Sequence, residues 1–236
     1  MLVLVKGLSL DSGVSLVVGS LVSSLATVFL FLLTKWCSVD YLAVRRENVK
    51  PVVIAVLLAL SLMVPLAWLE EMIPEQLVKD NNTEAFEFLL SRVEGYVIIG
   101  LMAPLCEEIV FRGVILRCLL QRFAGRYWIA IAISALLFAV AHFNPAQTPH
   151  ALVVGVLLGW MCYRTGSLLP GIAYHWVNNT SVFLLCALFP ELPYDAQITD
   201  FFAGHLELLP LFIVGGSLAS LLLVWGFSKG RWLAQK

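Results

Sequence analysis

Seven stretches of the chain are apolar for about the length a lipid bilayer demands, near residues 14–36, 51–69, 93–120, 127–143, 150–163, 167–189 and 208–227. A hydrocarbon core about 30 Å thick takes roughly 20 apolar residues of helix to cross, and the crossing segment must satisfy its own backbone N–H and C=O groups. The runs at 127–143 and 150–163 are shorter, which implies little tilt or a local thinning of the bilayer. Residues are 60% hydrophobic and 13% charged, against roughly a quarter charged in a soluble domain. The longest polar interval, 70–92, holds only an amphipathic segment, too short for a separate soluble domain. The sequence therefore predicts an all-α, polytopic transmembrane bundle of about seven helices, within a range of six to eight, forming one integral membrane domain over residues 1–236.

Charge predicts how that bundle sits. Lys and Arg collect in cytoplasmic loops, and here they fall in alternate intervals. Lys35, Arg45, Arg46 and Lys50 follow the first run, Arg117, Arg122 and Arg126 surround the turn after the third, Arg164 follows the fifth, and Lys229, Arg231 and Lys236 follow the last. The other intervals hold only Lys6, Lys79 and Arg92 among acids such as Glu70, Glu71, Glu75, Asp80, Glu84, Glu87, Glu191, Asp195, Asp200 and Glu207. The expected arrangement puts the N-terminus outside and the C-terminus in the cytoplasm. The opening MLVLVKGLSLDSGVSL lacks a charged region followed by a small-residue cleavage site, so the first helix is expected to stay.

Other function classes find no support. Five cysteines stand singly, without CxxC spacing, and argue for neither a disulfide framework nor a zinc knuckle. A net charge of −1, with no basic stripe and no glycine-rich phosphate loop, excludes nucleic acid as the expected partner.

Against this apolar background, APLCEEIVFRG (103–113) sets Glu107, Glu108 and Arg112 inside a helix. An ionisable residue near the bilayer centre costs about 2.5–3.5 kcal/mol, so all three need partners. Glu108 and Arg112, four apart, share a helix face and can pair, a structural clamp if read alone. Glu107, about 100° around the helix, is expected to meet a different neighbour. Two further runs carry matching polar groups: Phe138 with His142, and His175 with Asn179, each pair four apart. A glutamate, two histidines and a carboxamide are the groups that water activation and oxyanion stabilisation require. Read singly, a membrane histidine often just hydrogen-bonds a backbone carbonyl, and Phe138 reads as packing that can fix the His142 ring. His150 and His205 fall at helix ends and read as solvated, Asn178 faces away from Asn179, and Gly155 with Gly159 reads as close helix packing. Pro104 and Pro170 loosen their helices, and a carbonyl freed there can line a polar cavity.

Taken in order, Glu-Glu-x-x-x-Arg, Phe-x-x-x-His and His-x-x-x-Asn on separate apolar runs resemble the CAAX protease and bacteriocin-processing (CPBP, or Abi) family of intramembrane endopeptidases. The flanking GSLLPGIAYHWVNN (166–179) is similar to that family's third motif, and the likeness covers 93–189. The resemblance implies that Glu107 and His142 hold and activate the attacking water, that His175 and Asn179 stabilise the oxyanion, and that Glu108 and Arg112 orient or brace them. It implies a peptide or membrane-anchored protein substrate in the bilayer and a mechanism needing no cofactor. Glu107, His142 and His175 also make a possible zinc set, so a metal stays open. A non-catalytic immunity or scaffold protein that binds a partner through the same groove is the alternative. Short loops and a compact chain fit a bacterial cytoplasmic (inner) membrane.

Overall fold

The computed structural model describes residues 12–73, 83–142, 144–145, 147–193, 196–230 and 232. Lys6, Glu75, Lys79, Asp80, Phe143, Asp195, Arg231 and Lys236 lie outside the described residues.

The chain is an all-α bundle. Its main helices among the described residues are α1 (Ser12–Leu33), α2 (Val49–Glu71), the short α3 (Thr83–Leu90), α4 (93–122), α5 (Tyr127–Val140), α6 (Thr148–Thr165), α7 (Leu169–Leu188) and α8 (Leu209–Lys229), with a single turn at Ile198–Phe201 before α8. Each expected apolar run is a helix, and α3 is the amphipathic segment of the long polar interval. Proline in the first turn opens α6, α7 and α8, where its missing N–H has no partner to lose. Gly166, at φ 66°, ends α6 in the left-handed conformation that glycine adopts without strain.

Among the described residues three helical stretches are long and apolar enough to cross a membrane, Gly13–Leu33, Arg46–Glu71 and Leu206–Lys229. The four inner helices differ for physical reasons: α4 and α7 spend length on charged and carboxamide side chains, while the 14 residues of α5 rise only about 21 Å. Leucines and aromatics of the outer helices face away from the core, as Leu33, Leu211, Leu222 and Trp225 do, the side a bilayer would cover.

Helix α2 runs through the centre, against α6, α7 and α8. Ala55, Leu58, Ala59, Leu158, Met161, Tyr174 and Phe227 form the core there. Gly216 of α8 lies so close to α2 that an added Cβ would meet the Ser61 carbonyl, the acceptor that Pro65 has no N–H to satisfy. The Ser61 and Ser220 hydroxyls bond across the same seam at 2.7 Å. A second core, with Ile109, Leu116, Ile131, Cys162 and Leu168, joins α4 to α5 and α6. As the small-residue spacing predicts, Gly155 and Gly159 bring α6 against Ala135 and Ile131 of α5. Because lipid is as apolar as leucine, such close contact is what holds membrane helices together.

Candidate active site

Helix α4 is not a uniform α-helix. It winds as a π-helix over Tyr96–Met102, returns to α over Ala103–Glu107, and widens again over Glu108–Ile115. The N–H of Ala103 reaches back five residues to the Ile98 carbonyl, so the next carbonyl, Ile99, awaits Pro104, which has no N–H. Asn179 of α7 takes that acceptor, its Nδ2 donating at 2.8 Å. The freed carbonyl anticipated near Pro104 is therefore Ile99, and it lines the cavity described below.

Glu108 and Arg112 are buried at 0% and 1% exposure and bonded at 2.8 Å. Arg112 also donates to the Gly155 carbonyl of α6 at 3.3 Å and lies 4.3 Å from the Phe138 ring centre of α5. From the other side Gly171 of α7 approaches Glu108 so closely that a Cβ there would meet its Oε2. One ion pair thus ties together four helices.

Glu107 lies on the cavity side of this pair. Its Oε2 is 3.6 Å from His175 Nε2, while His175 Nδ1 is 3.9 Å from Glu108 Oε1. Glu107 thus meets a neighbour other than the Arg112 partner of Glu108, as expected, and the His175 ring also borders Glu108 on its Nδ1 side. Glu107 Oε2, Glu108 Oε2 and His175 Nδ1 are buried atoms with no hydrogen-bond partner among the described residues, and polar atoms left so are exceptional in a folded protein.

His142 follows the end of α5. Its Nδ1 bonds the Phe138 carbonyl at 2.8 Å; a carbonyl only accepts, so Nδ1 carries the proton and the neutral ring keeps its lone pair on Nε2. The Phe138 ring stands edge-on to both imidazoles, 4.7 Å from His142 and 6.0 Å from His175 between ring centres. It packs, as expected, and it also separates and orients the two rings.

A cavity of about 350 Å³ brings these groups together, lined by Glu107, His142, His175 and Asn179. Glu108 and Arg112 are not among its lining residues and lie buried in the bundle behind Glu107 and Phe138. Two expectations fail here. His150 is not a solvated helix-end residue; its Nδ1 bonds Glu70 Oε1 at 2.6 Å, and both line the cavity. Asn178 does not face away, for it too lines the cavity and its Nδ2 lies 3.5 Å from Asn179 Oδ1. Glu70 and Gln147 also line the cavity, with no signal of it in the sequence. Both sit at helix ends within polar intervals, where ordinary solvation explains a polar residue and sequence spacing carries no warning. His205 is exposed, as expected.

Glu107 and His175 are close enough to share a ligand, but among the described residues no three His, Cys, Asp or Glu side chains are grouped to hold a metal ion. What the arrangement offers is a carboxylate, an imidazole lone pair and carboxamide N–H groups around one pocket.

Fold and site together define a helical membrane protein with a buried carboxylate, imidazole and carboxamide centre. Residues 90–181 match the family described as type II CAAX prenyl endopeptidase Rce1-like. Among curated proteins it is 32% identical over 85 residues to an uncharacterized 24.3 kDa protein of Escherichia coli, spanning 35% of this chain and 39% of that one. It is 30% identical over 115 residues to the membrane-embedded CAAX protease MroQ of Staphylococcus aureus (strain USA300), spanning 47% of each. The chain thus matches less than half the length of either relative. No solved structure matches.

Proposed function

We propose that the chain is an intramembrane endopeptidase of the bacterial cytoplasmic membrane that hydrolyses a peptide bond of a membrane-associated protein or peptide, with Glu107 activating the water. The observation that carries this reading is the placement of Glu107 Oε2 and His175 Nε2 3.6 Å apart in one cavity with His142 and Asn179. That separation exceeds a direct hydrogen bond, yet a single oxygen can lie about 2.8 Å from both atoms.

Each group then has a task. His142 accepts one hydrogen of the water at Nε2 and fixes its direction. Glu107 takes the other proton as the water oxygen bonds to the carbonyl carbon and the C=O electron pair moves onto oxygen. The amide of Asn179 spends one N–H on Ile99 and has a second to offer the oxyanion, beside His175. Glu107 finally returns its proton to the amine nitrogen as the C–N bond breaks, leaving a carboxylate end and an amine end. The Glu108–Arg112 pair reacts with nothing; it fixes the helix turn from which Glu107 projects.

The test is cleavage of membrane-associated peptides by the purified protein in nanodiscs, read by mass spectrometry. Cleavage by wild type that vanishes in His142→Ala and falls in Asn179→Ala supports the reading. Undiminished cleavage by His142→Ala overturns the assignment of that residue, and no cleavage of any peptide favours the non-catalytic alternative.

A further inference from the structure

Hydrogen bonds between helix ends sort them into two faces. At one, Arg164 at the end of α6 donates to the Ser228 and Gly230 carbonyls at the end of α8, at 3.0 and 2.9 Å. Arg117 of α4 reaches the Gly166 carbonyl, and the Leu168 N–H before α7 bonds the Tyr41 carbonyl after α1. At the other, the Ile198 N–H meets Glu71 at the end of α2, and His150 at the start of α6 meets Glu70.

Charge follows the same division. Apart from buried Arg112, nine of the ten described Lys and Arg lie at the first face and Arg92 alone at the second. The second face carries Glu70, Glu71, Glu191, Asp200 and Glu207. Basic residues mark the cytoplasmic side of a helical membrane protein, because inserted segments keep Lys and Arg there.

The cavity belongs to the acidic half. Glu70, His142, Gln147 and His150 line it from the acidic ends of α2, α5 and α6, and none of its described lining residues comes from the basic ends. Towards the basic face the way is blocked. Glu108, Arg112, Ile109, Leu158, Met161 and Leu168, each 1% exposed or less, fill the bundle there.

We propose that the site is loaded from the face opposite the cytoplasm. Its substrate class is then a peptide segment that has been exported or that emerges from the membrane on that side, and a lipidated C-terminus held at the cytoplasmic surface lies on the wrong face. Glu70 and His150 are the first polar pair such a segment meets. The inference rests on the hydrolytic reading only for what enters the cavity, not for which face it opens on.

Labelling with a membrane-impermeant maleimide decides the face independently of catalysis. In a variant whose native cysteines are replaced, Gln147→Cys should react in intact cells, while Arg126→Cys should react only after permeabilisation. Should the cysteine-free background fail to fold, alkaline phosphatase inserted after Glu191 and green fluorescent protein fused to the C-terminus of the native chain report the same thing, and both should be active. The reversed pattern in either assay overturns the proposal. A second arm adds an impermeant peptide outside sealed vesicles whose protein presents its acidic face outward. Cleavage there supports the proposal, and cleavage only when the basic face is outward overturns it. Absence of cleavage from both sides counts against the hydrolytic reading, while the labelling still decides the face.

Discussion

Asn179 donates from Nδ2 to the Ile99 carbonyl at 2.8 Å, and the bond exists because Pro104 has no N–H for that carbonyl. A defect in one helix thus sets the rotamer of a side chain on another. One N–H of the amide is fixed, which aims the second, and an aimed donor stabilises developing charge without reorganising at the moment of reaction.

Asn179→Ala should therefore lower kcat by about two to three decades, the usual cost of an oxyanion donor. Pro104→Ala restores an N–H that competes for Ile99 and frees the carboxamide, so kcat should fall while KM and thermal stability hold. Peptide cleavage kinetics on both variants provide the check, and an unchanged kcat in Pro104→Ala would show that the bond has no positioning role.

The buried pair makes a stability prediction. Arg112→Ala or Glu108→Ala leaves one charge without its partner, costing about 3–5 kcal/mol. Glu108→Leu with Arg112→Met removes both charges and should recover most of that loss. Thermal denaturation in detergent measures this, and single variants as stable as wild type would contradict the clamp.

Glycine substitutions separate contact from bystander positions. A Cβ on Gly171 would collide with Glu108 Oε2, and one on Gly155 would sit 3.0 Å from Ala135 Cα, whereas Gly226 has nothing within 4 Å. Gly171→Ala should cost about 1–3 kcal/mol and reduce cleavage, with Gly155→Ala affected in the same direction and Gly226→Ala near neutral. Equal melting temperatures for all three would mean that α7 does not need this approach to Glu108.

Cysteine reactivity checks the packing of the basic face. Cys37 is 1% exposed and burial pushes its thiol up, whereas Cys118 is exposed. The thiolate is the reactive form. Near neutral pH in detergent Cys118 should alkylate quickly and Cys37 only on unfolding. Rapid modification of Cys37 in the folded protein would show that the loop after α1 does not cover it.

Much of this was legible before any coordinates. Apolar length gave the helices, and i,i+4 spacing gave Glu108 with Arg112, Phe138 with His142, and His175 with Asn179. What escaped was set by long-range packing. Nothing in the spacing reveals that α4 widens into π turns, or that α7 packs so that His175 lies near both Glu107 and Glu108. His150 and Glu70 lie 80 positions apart in polar intervals where solvation is the ordinary explanation, and only the approach of α2 to α6 makes them partners.

In the proposed mechanism everything turns on Glu107 activating the water. The direct measurement is peptide cleavage by wild type and Glu107→Gln in reconstituted vesicles, each with and without a strong chelator. Cleavage by wild type in chelator, and none by Glu107→Gln under either condition, is the expected result. Equal cleavage by Glu107→Gln, or wild-type activity lost to chelator and restored by zinc, would contradict it.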